Sequence, residues 1–181
     1  ERVSNAVNRQ KLEVLQFKQF EFDIQLARKK KKIEDQKSLS WTGNRKFEVI
    51  KKIYECPDKG ICSFYLTPHD KKPIPDFKPG QFLTFELPVP GQAKPLIRCY
   101  SLSDAPQDDF IYRVSIKRVP PPRGSVDIPA GLSSNYFHDH INQGDILDVR
   151  APGGNFYLDT TSNRPVVLIG GGVGLTPVLS M

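Results

Sequence analysis

RCYSLSDAP, residues 98–106, places an arginine, a cysteine, a tyrosine and two serines within six positions. It follows a turn-rich loop, PVPGQAKP (88–95), and runs into an aspartate-bearing turn, PQDDF (106–110). On an extended strand side chains alternate, so Arg98 and Tyr100 share one face and Cys99 and Ser101 the other. An arginine fork matches phosphate oxygens. A tyrosine ring offers a flat apolar plate, and Ser101 adds a hydroxyl. A cationic fork beside an aromatic plate suits a ligand that has both a ring and a phosphate.

The flanking sequence extends the strand reading in both directions. FEVIKKIYE (47–55), ICSFYLTP (61–68), QFLTFELP (81–88), LIRCYSLS (96–103), DFIYRVSIKRV (109–119), DILDVRAP (145–152) and NFYLD (155–159) are short β-rich runs. Turns such as CPDKG (56–60) and FKPG (77–80) separate them. PPPRGSVDIPAG (120–131) lacks the donors a central strand needs and is expected to be a loop. SSNYFHDHI (133–141) reads as a short helix, with Ser133 or Ser134 as its cap and Gly144–Asp145 as its stop. Six or seven antiparallel strands and one helix predict a mainly β fold, a small Greek-key barrel. His138 and His140 lie two apart on that helix and point in different directions. They are read as surface or packing residues, not as a metal pair.

The two ends differ from the middle. Residues 1–37 contain no glycine and no proline, and Leu12, Leu15, Phe20, Ile24 and Ala27 recur at helical spacing. A helix over about 5–35 is expected, joined to the barrel through SLSWTGNR (38–45). Its basic run, Arg28 to Lys32, is read as a solvated helix end. Membrane-surface contact is the less favoured reading, and nucleic-acid binding is not expected because no aromatic residues interleave the run. At the other end, PVVLI (165–169) is an unbroken apolar run of the kind that is buried on both faces of a parallel sheet. GGGVG (170–174) and LTPVLSM (175–181) follow as a glycine loop and a helix start, with Pro177 near its first position. The expected organisation is helix and linker over 1–40, barrel over 41–160, and the incomplete opening of an α/β domain over 161–181.

Composition narrows the class. The 181 residues carry a net charge of +6, which favours an anionic ligand or partner. No apolar run reaches the length of a membrane span and no signal-peptide pattern opens the chain, so a cytoplasmic location is expected. The three cysteines, Cys56, Cys62 and Cys99, are too few and wrongly spaced for a disulfide framework, a zinc site or an iron–sulfur site.

Several of these motifs, taken in order, resemble one family. RCYSLSDAP, VSIKR (114–118), GLSSNYFHDHINQGD (131–145), APGGNFYL (151–158) and VVLIGGGVGLTP (166–177), preceded by FKPGQFLTFELPVPG (77–91), resemble the ferredoxin–NADP reductase superfamily. The look is most like the reductase portion of flavohaemoglobins, the nitric oxide dioxygenases. The resemblance covers roughly 45–181. It implies a six-stranded flavin-binding barrel followed by a nicotinamide-binding α/β domain. It implies FAD rather than FMN as cofactor and NAD(P)H as substrate.

Carried over by position, Arg98 would contact the flavin phosphate, Tyr100 would pack on its ring, and Ser101 would reach its N5. Tyr100 and Ser101 are therefore the candidate catalytic residues. Val114, Ser115, Ile116 and Lys117 would line the cofactor. Gly131, Leu132, Ser133 and Ser134 would hold the pyrophosphate, and Gly171, Gly172, Val173, Gly174 and Thr176 the nicotinamide nucleotide. The implied chemistry is hydride transfer from NAD(P)H to flavin N5, then single electrons to a haem or iron–sulfur acceptor outside this chain. Since the second domain is only begun, weak NAD(P)H binding is expected. The alternative reading, from a different class, is a barrel retained for interaction or regulation.

Overall fold

The computed structural model describes residues 2–106, 110–122, 124 and 128–181. Of the predicted loops, residues 107–109, Arg123 and residues 125–127 lie outside the described set. The chain forms two compact units, Glu1–Leu39 and Ser40–Met181. The first is one helix, α1 (Arg2–Leu39), longer at both ends than its apolar spacing suggested.

The second unit holds six strands: β1 (Arg45–Tyr54), β2 (Ile61–Pro68), β3 (Phe82–Leu87), β4 (Leu96–Ser101), β5 (Tyr112–Lys117) and β6 (Ile146–Gly153). Helix α2 (Leu132–His140) lies between β5 and β6. All pairings are antiparallel, in the order β4-β3-β6-β1-β2-β5. Chain neighbours β2 and β3 are not sheet neighbours, which is the Greek-key crossover. A single bridge between Leu102 and Val114 ties the β4 end of the sheet to the β5 end. Beside it, Ser103 N–H donates to Arg113 O at 2.9 Å. These bonds close the sheet into a barrel and remove its free edges.

Strand alternation decides what is buried. Leu83, Phe85 and Leu87 of β3 point inward, as do Leu147 and Val149 of β6, Phe47 and Val49 of β1, and Val114 and Ile116 of β5. Phe64 and Leu66 of β2 complete the lining. Trp41 closes one side of the core, its Nε1–H donating to Val149 O at 3.0 Å. Tyr112 is buried in the core and its hydroxyl donates to Pro75 O at 2.7 Å. Burial drives the Tyr112 phenol far above its usual range.

Four local expectations are corrected. NFYLD forms no strand, because β6 ends at Gly153 and the chain turns at Gly154, φ +110°, where Phe82 leaves no room for a Cβ. PVVLI forms no strand either, and Val167 and Ile169 are 84 % and 89 % exposed. A doubly buried strand needs strands beside it and helices above and below it, and the described residues supply neither. The terminal helix, α3 (Leu175–Leu179), begins at Leu175 and places Pro177 third. Neither Ser133 nor Ser134 caps α2: its N-cap is Gly131, with no side-chain cap.

The tail is nevertheless pinned to the barrel. Gly80 N–H donates to Ser180 Oγ at 2.7 Å, and Leu158 N–H to Pro79 O at 2.9 Å. Gly80 has φ +105°, and a Cβ there would meet the Phe156 carbonyl oxygen at 2.6 Å. Gly80→Ala therefore meets both a disfavoured backbone region and a backbone clash. It is expected to lower Tm by roughly 5 °C in a thermal melt; an unchanged Tm contradicts this.

Candidate functional site

A groove of about 570 Å³ opens along β4, bordered by the end of β5, the start of α2 and the 3₁₀ turn Gly172–Gly174. The β3–β4 register sets which side chains face it. Tyr100 lies opposite the inward-facing Leu83, and Arg98 opposite Phe85. Cys99 lies opposite Thr84 on the other face, where their side chains meet at 3.3 Å. The split of Arg98 and Tyr100 from Cys99 and Ser101 thus follows from the pairing.

Tyr100 is half-buried and is held on two sides. Its ring meets Phe137 and Phe85 edge-on, with centroids 5.3 Å and 5.9 Å away. Its hydroxyl donates to Ser133 Oγ at 2.9 Å, joining β4 to the first turn of α2. Burial raises the phenol's pKa, against smaller opposing effects of Ser133 and Arg98. Tyr100 therefore stays a neutral donor at ordinary pH. Arg98 is exposed, and its Nη1 donates to the Ile97 carbonyl at 2.8 Å. Among the described residues it has no carboxylate partner.

The start of α2 is held by its anchors, not by a cap. Ser134 Oγ accepts from Val119 N–H at 3.2 Å and donates to Gly131 O at 3.1 Å. Asn135 Nδ2 donates to Val119 O and Gly131 O at 2.9 Å and 2.7 Å. Both side chains fasten the helix to the end of β5. The first-turn N–H groups keep no side-chain acceptor, and the helix dipole there favours an anion.

The other end of α2 is fastened too. Lys52 Nζ donates to the carbonyls of His138 and Ile141 at 2.8 Å and 2.6 Å, a cation at the pole that suits it. Arg118 grips Asp139 with both guanidinium nitrogens, at 2.6 Å and 3.0 Å. This holds the Asp139 carboxyl below its ordinary range.

Of the surface and packing readings of His138, the structure takes the second: the residue is buried. Its Nε2 lies 2.9 Å from Ile116 O, while Nδ1 is buried without a partner. Since the carbonyl can only accept, Nε2 carries the proton of a neutral ring. Burial lowers the His138 pKa, and nearby Arg118 and Lys52 push it the same way. The unfolded chain, with a histidine near the usual ~6.5, then binds a proton more readily than the folded one. Stability should be full above pH ~6.5 and fall as pH drops through that value toward the lower folded pKa. Thermal melts at a series of pH values are expected to show this loss, and His138→Gln should flatten it. An equal slope in the variant contradicts the assignment.

The groove gathers most of the predicted site residues and omits a few. Arg98, Tyr100, Ser101, Ser115, Ile116 and Lys117 border it from the barrel; Gly131, Leu132, Ser133 and Ser134 from α2; and Val173, Gly174 and Thr176 from the tail. Val114 does not reach it, because its side chain is fully buried in the core. Gly171 and Gly172 do not border it either. Cys99, Val119 and Pro177 border it as well, beyond the expected site residues. For Val119 the signal was available. Val119 lies two residues beyond Lys117, on the same face of an extended chain. No Asp or Glu borders the groove among the described residues, so Arg98 and Lys117 leave it positive. Nor do the described residues gather three His, Cys, Asp or Glu for a metal ion.

Residues 46–157 match the family described as the oxidoreductase FAD-binding domain. That stretch includes nearly all of the barrel and all of α2. The chain belongs to this family.

A flavohemoprotein of Halalkalibacterium halodurans is 43 % identical over 158 residues, covering 87 % of this chain and 37 % of that protein. A flavohemoprotein of Bordetella pertussis is 47 % identical over 141 residues, covering 78 % and 33 % respectively. The chain thus spans little more than a third of the length of these relatives. Among solved structures, the FAD/NAD-binding domain of nitric oxide dioxygenase from Vibrio cholerae is similar at TM-score 0.66 and 36 % identity, covering 77 % of this chain and 55 % of that one. Phthalate dioxygenase reductase is similar at TM-score 0.61 and 31 % identity, covering 76 % and 38 %. The mainly β fold with six antiparallel strands is the one these neighbours share.

The groove fits the family's cofactor in kind. A dinucleotide that carries an aromatic ring needs cationic or N–H donors for its phosphates and an apolar wall for its ring. The acid-free groove offers Arg98, the open start of α2 and the Tyr100 ring.

Proposed function

We propose that this chain is the FAD-holding portion of an NAD(P)H-dependent electron-transfer oxidoreductase. The observation that carries the reading is the acid-free groove that joins Arg98, Tyr100 and Ser101 of β4 to the uncapped start of α2. Arg98 holds a phosphate by a charge-assisted bond. Leu132 and Ser133 present N–H groups to the pyrophosphate, while Ser134 keeps that turn in place through Val119 and Gly131. Tyr100 packs on the flavin ring and keeps its orientation through Ser133 and Phe137. Ser101 presents its hydroxyl to the reactive edge of the ring. Bound FAD supplies the redox chemistry, accepting a hydride and releasing electrons singly.

Residues 161–181 open the nicotinamide domain, with Gly171, Gly172, Val173, Gly174 and Thr176 as its nucleotide loop. The electron acceptor is a haem or iron–sulfur centre outside these residues. The location is cytoplasmic. No helix among the described residues is long and apolar enough to cross a membrane.

Titration of the purified chain with FAD tests the proposal. The expected result is quenching of flavin fluorescence and a visible spectrum typical of bound flavin, with FMN binding more weakly. A chain that leaves both signals unchanged favours the interaction-module alternative.

A further inference from the structure

Three buried serines form a line that starts at the groove. Ser115 borders the groove and is only 7 % exposed. Its Oγ lies 2.7 Å from Ser63 Oγ on β2 and 2.8 Å from Ser103 Oγ after β4. Ser63 and Ser103 are buried as well. Arg113 Nε and Nη2 donate to Ser63 Oγ at 3.3 Å and 3.2 Å. Nη2 also donates to Glu55 Oε1 at 2.8 Å.

The donors give this line a direction. A guanidinium only donates, so Arg113 occupies the acceptor side of Ser63, while at the far end of the line Ser103 Oγ donates to the Arg113 carbonyl at 3.4 Å. The Glu55 carboxylate anchors that guanidinium from the other side through Nη2. Ser63 thus gives its proton to Ser115. Ser115 accepts from Ser63, gives its own proton to Ser103, and keeps one lone pair for the groove.

Resting on the FAD reading above, we infer that Glu55, Arg113 and Ser63 act together as positioning residues, fixing the Ser115 oxygen as a directed acceptor for an N–H or O–H of the bound cofactor. Ser63 and Glu55 belong to no motif of the groove, and Ser63 acts on the cofactor through Ser115. The array couples the outer end of β1–β2 to the cofactor across the sheet.

The test is a double-mutant cycle on FAD dissociation constants, measured by fluorescence quenching with the full chain. Ser63→Ala and Ser115→Ala are each expected to weaken binding about fivefold, the worth of one neutral hydrogen bond. Combined, they should weaken it no more than Ser115→Ala alone, because they remove the same acceptor. Ser63→Thr, which keeps the hydroxyl, should restore affinity. Unchanged affinity in Ser63→Ala, losses that multiply, or a Ser63→Thr chain that melts like wild type but binds like Ser63→Ala each overturn the inference. If Ser63→Ala does not fold, Glu55→Gln at the outer end carries the test. It should weaken binding and shift the visible bands of bound FAD, and wild-type values for both overturn the inference. A wild-type chain that binds no FAD removes both readings. One that binds it with every variant unchanged removes only this one.

Discussion

Phe137→Ala should lower stability by about 3–5 kcal/mol, with a fall in Tm on the order of 10 °C. The side chain is fully buried, and one ring serves three neighbours. It meets Phe64 of β2 at 5.2 Å, Phe85 of β3 at 5.2 Å and Tyr100 of β4 at 5.3 Å, all in edge-on geometry. Removing it leaves a cavity between α2 and the barrel, and three aromatic rings lose their favourable edge contacts. Tyr100 loses its principal packing partner on the groove side, so FAD affinity should fall as well. Phe137→Leu keeps most of the volume and should cost under about 1.5 kcal/mol. Melts followed by circular dichroism, with and without FAD, check both values. A Phe137→Ala chain that melts with the wild type would show that α2 is not held by this ring.

The barrel was legible because its strands carry a strong period of two. β2 runs over the same residues as its sequence pattern, ICSFYLTP, and in β3 the alternating side chains of QFLTFELP sort cleanly into inside and outside. The short runs outside the sheet misled for a physical reason. NFYLD and PVVLI are rich in strand-forming residues, but β-propensity expresses the fit to a pleated neighbour. Neither run has one here. The closing bridge between Leu102 and Val114 was invisible, since it depends on two chain ends meeting in space.

The groove was legible to the extent that its residues sit in local motifs. RCYS and GLSS carry their chemistry within a few positions, so the strand face and the helix start could be read from spacing. What spacing does not reveal is how a hydroxyl is spent. Ser134 looks like a cap, but its hydroxyl fastens α2 to Val119, a residue brought beside it by the turn back from β5. His138 could be surface or packing by its spacing, and the fold decides it: its ring meets Ile116 O and its carbonyl accepts from Lys52. The Ser63–Ser115–Ser103 line joins three segments that only the sheet register brings together.

Arg98→Ala should weaken FAD binding by about 2–3 kcal/mol, on the order of 30- to 100-fold, while leaving Tm almost unchanged. The two halves of this expectation have separate causes. Stability is spared because the guanidinium is exposed, has no carboxylate partner among the described residues, and bonds only to the carbonyl of its own neighbour. Affinity is lost because, among the described residues, no acidic side chain borders the groove and Lys117 is the other cation there. Arg98→Lys keeps the charge but loses the planar fork, so it should recover only part of the affinity. The arginine's contribution should also shrink as salt rises, since the groove is open to solvent. Fluorescence titrations at two ionic strengths, run beside thermal melts, separate the two halves. Equal FAD affinity in wild type and Arg98→Ala would move the phosphate contact away from β4 and onto the start of α2 alone.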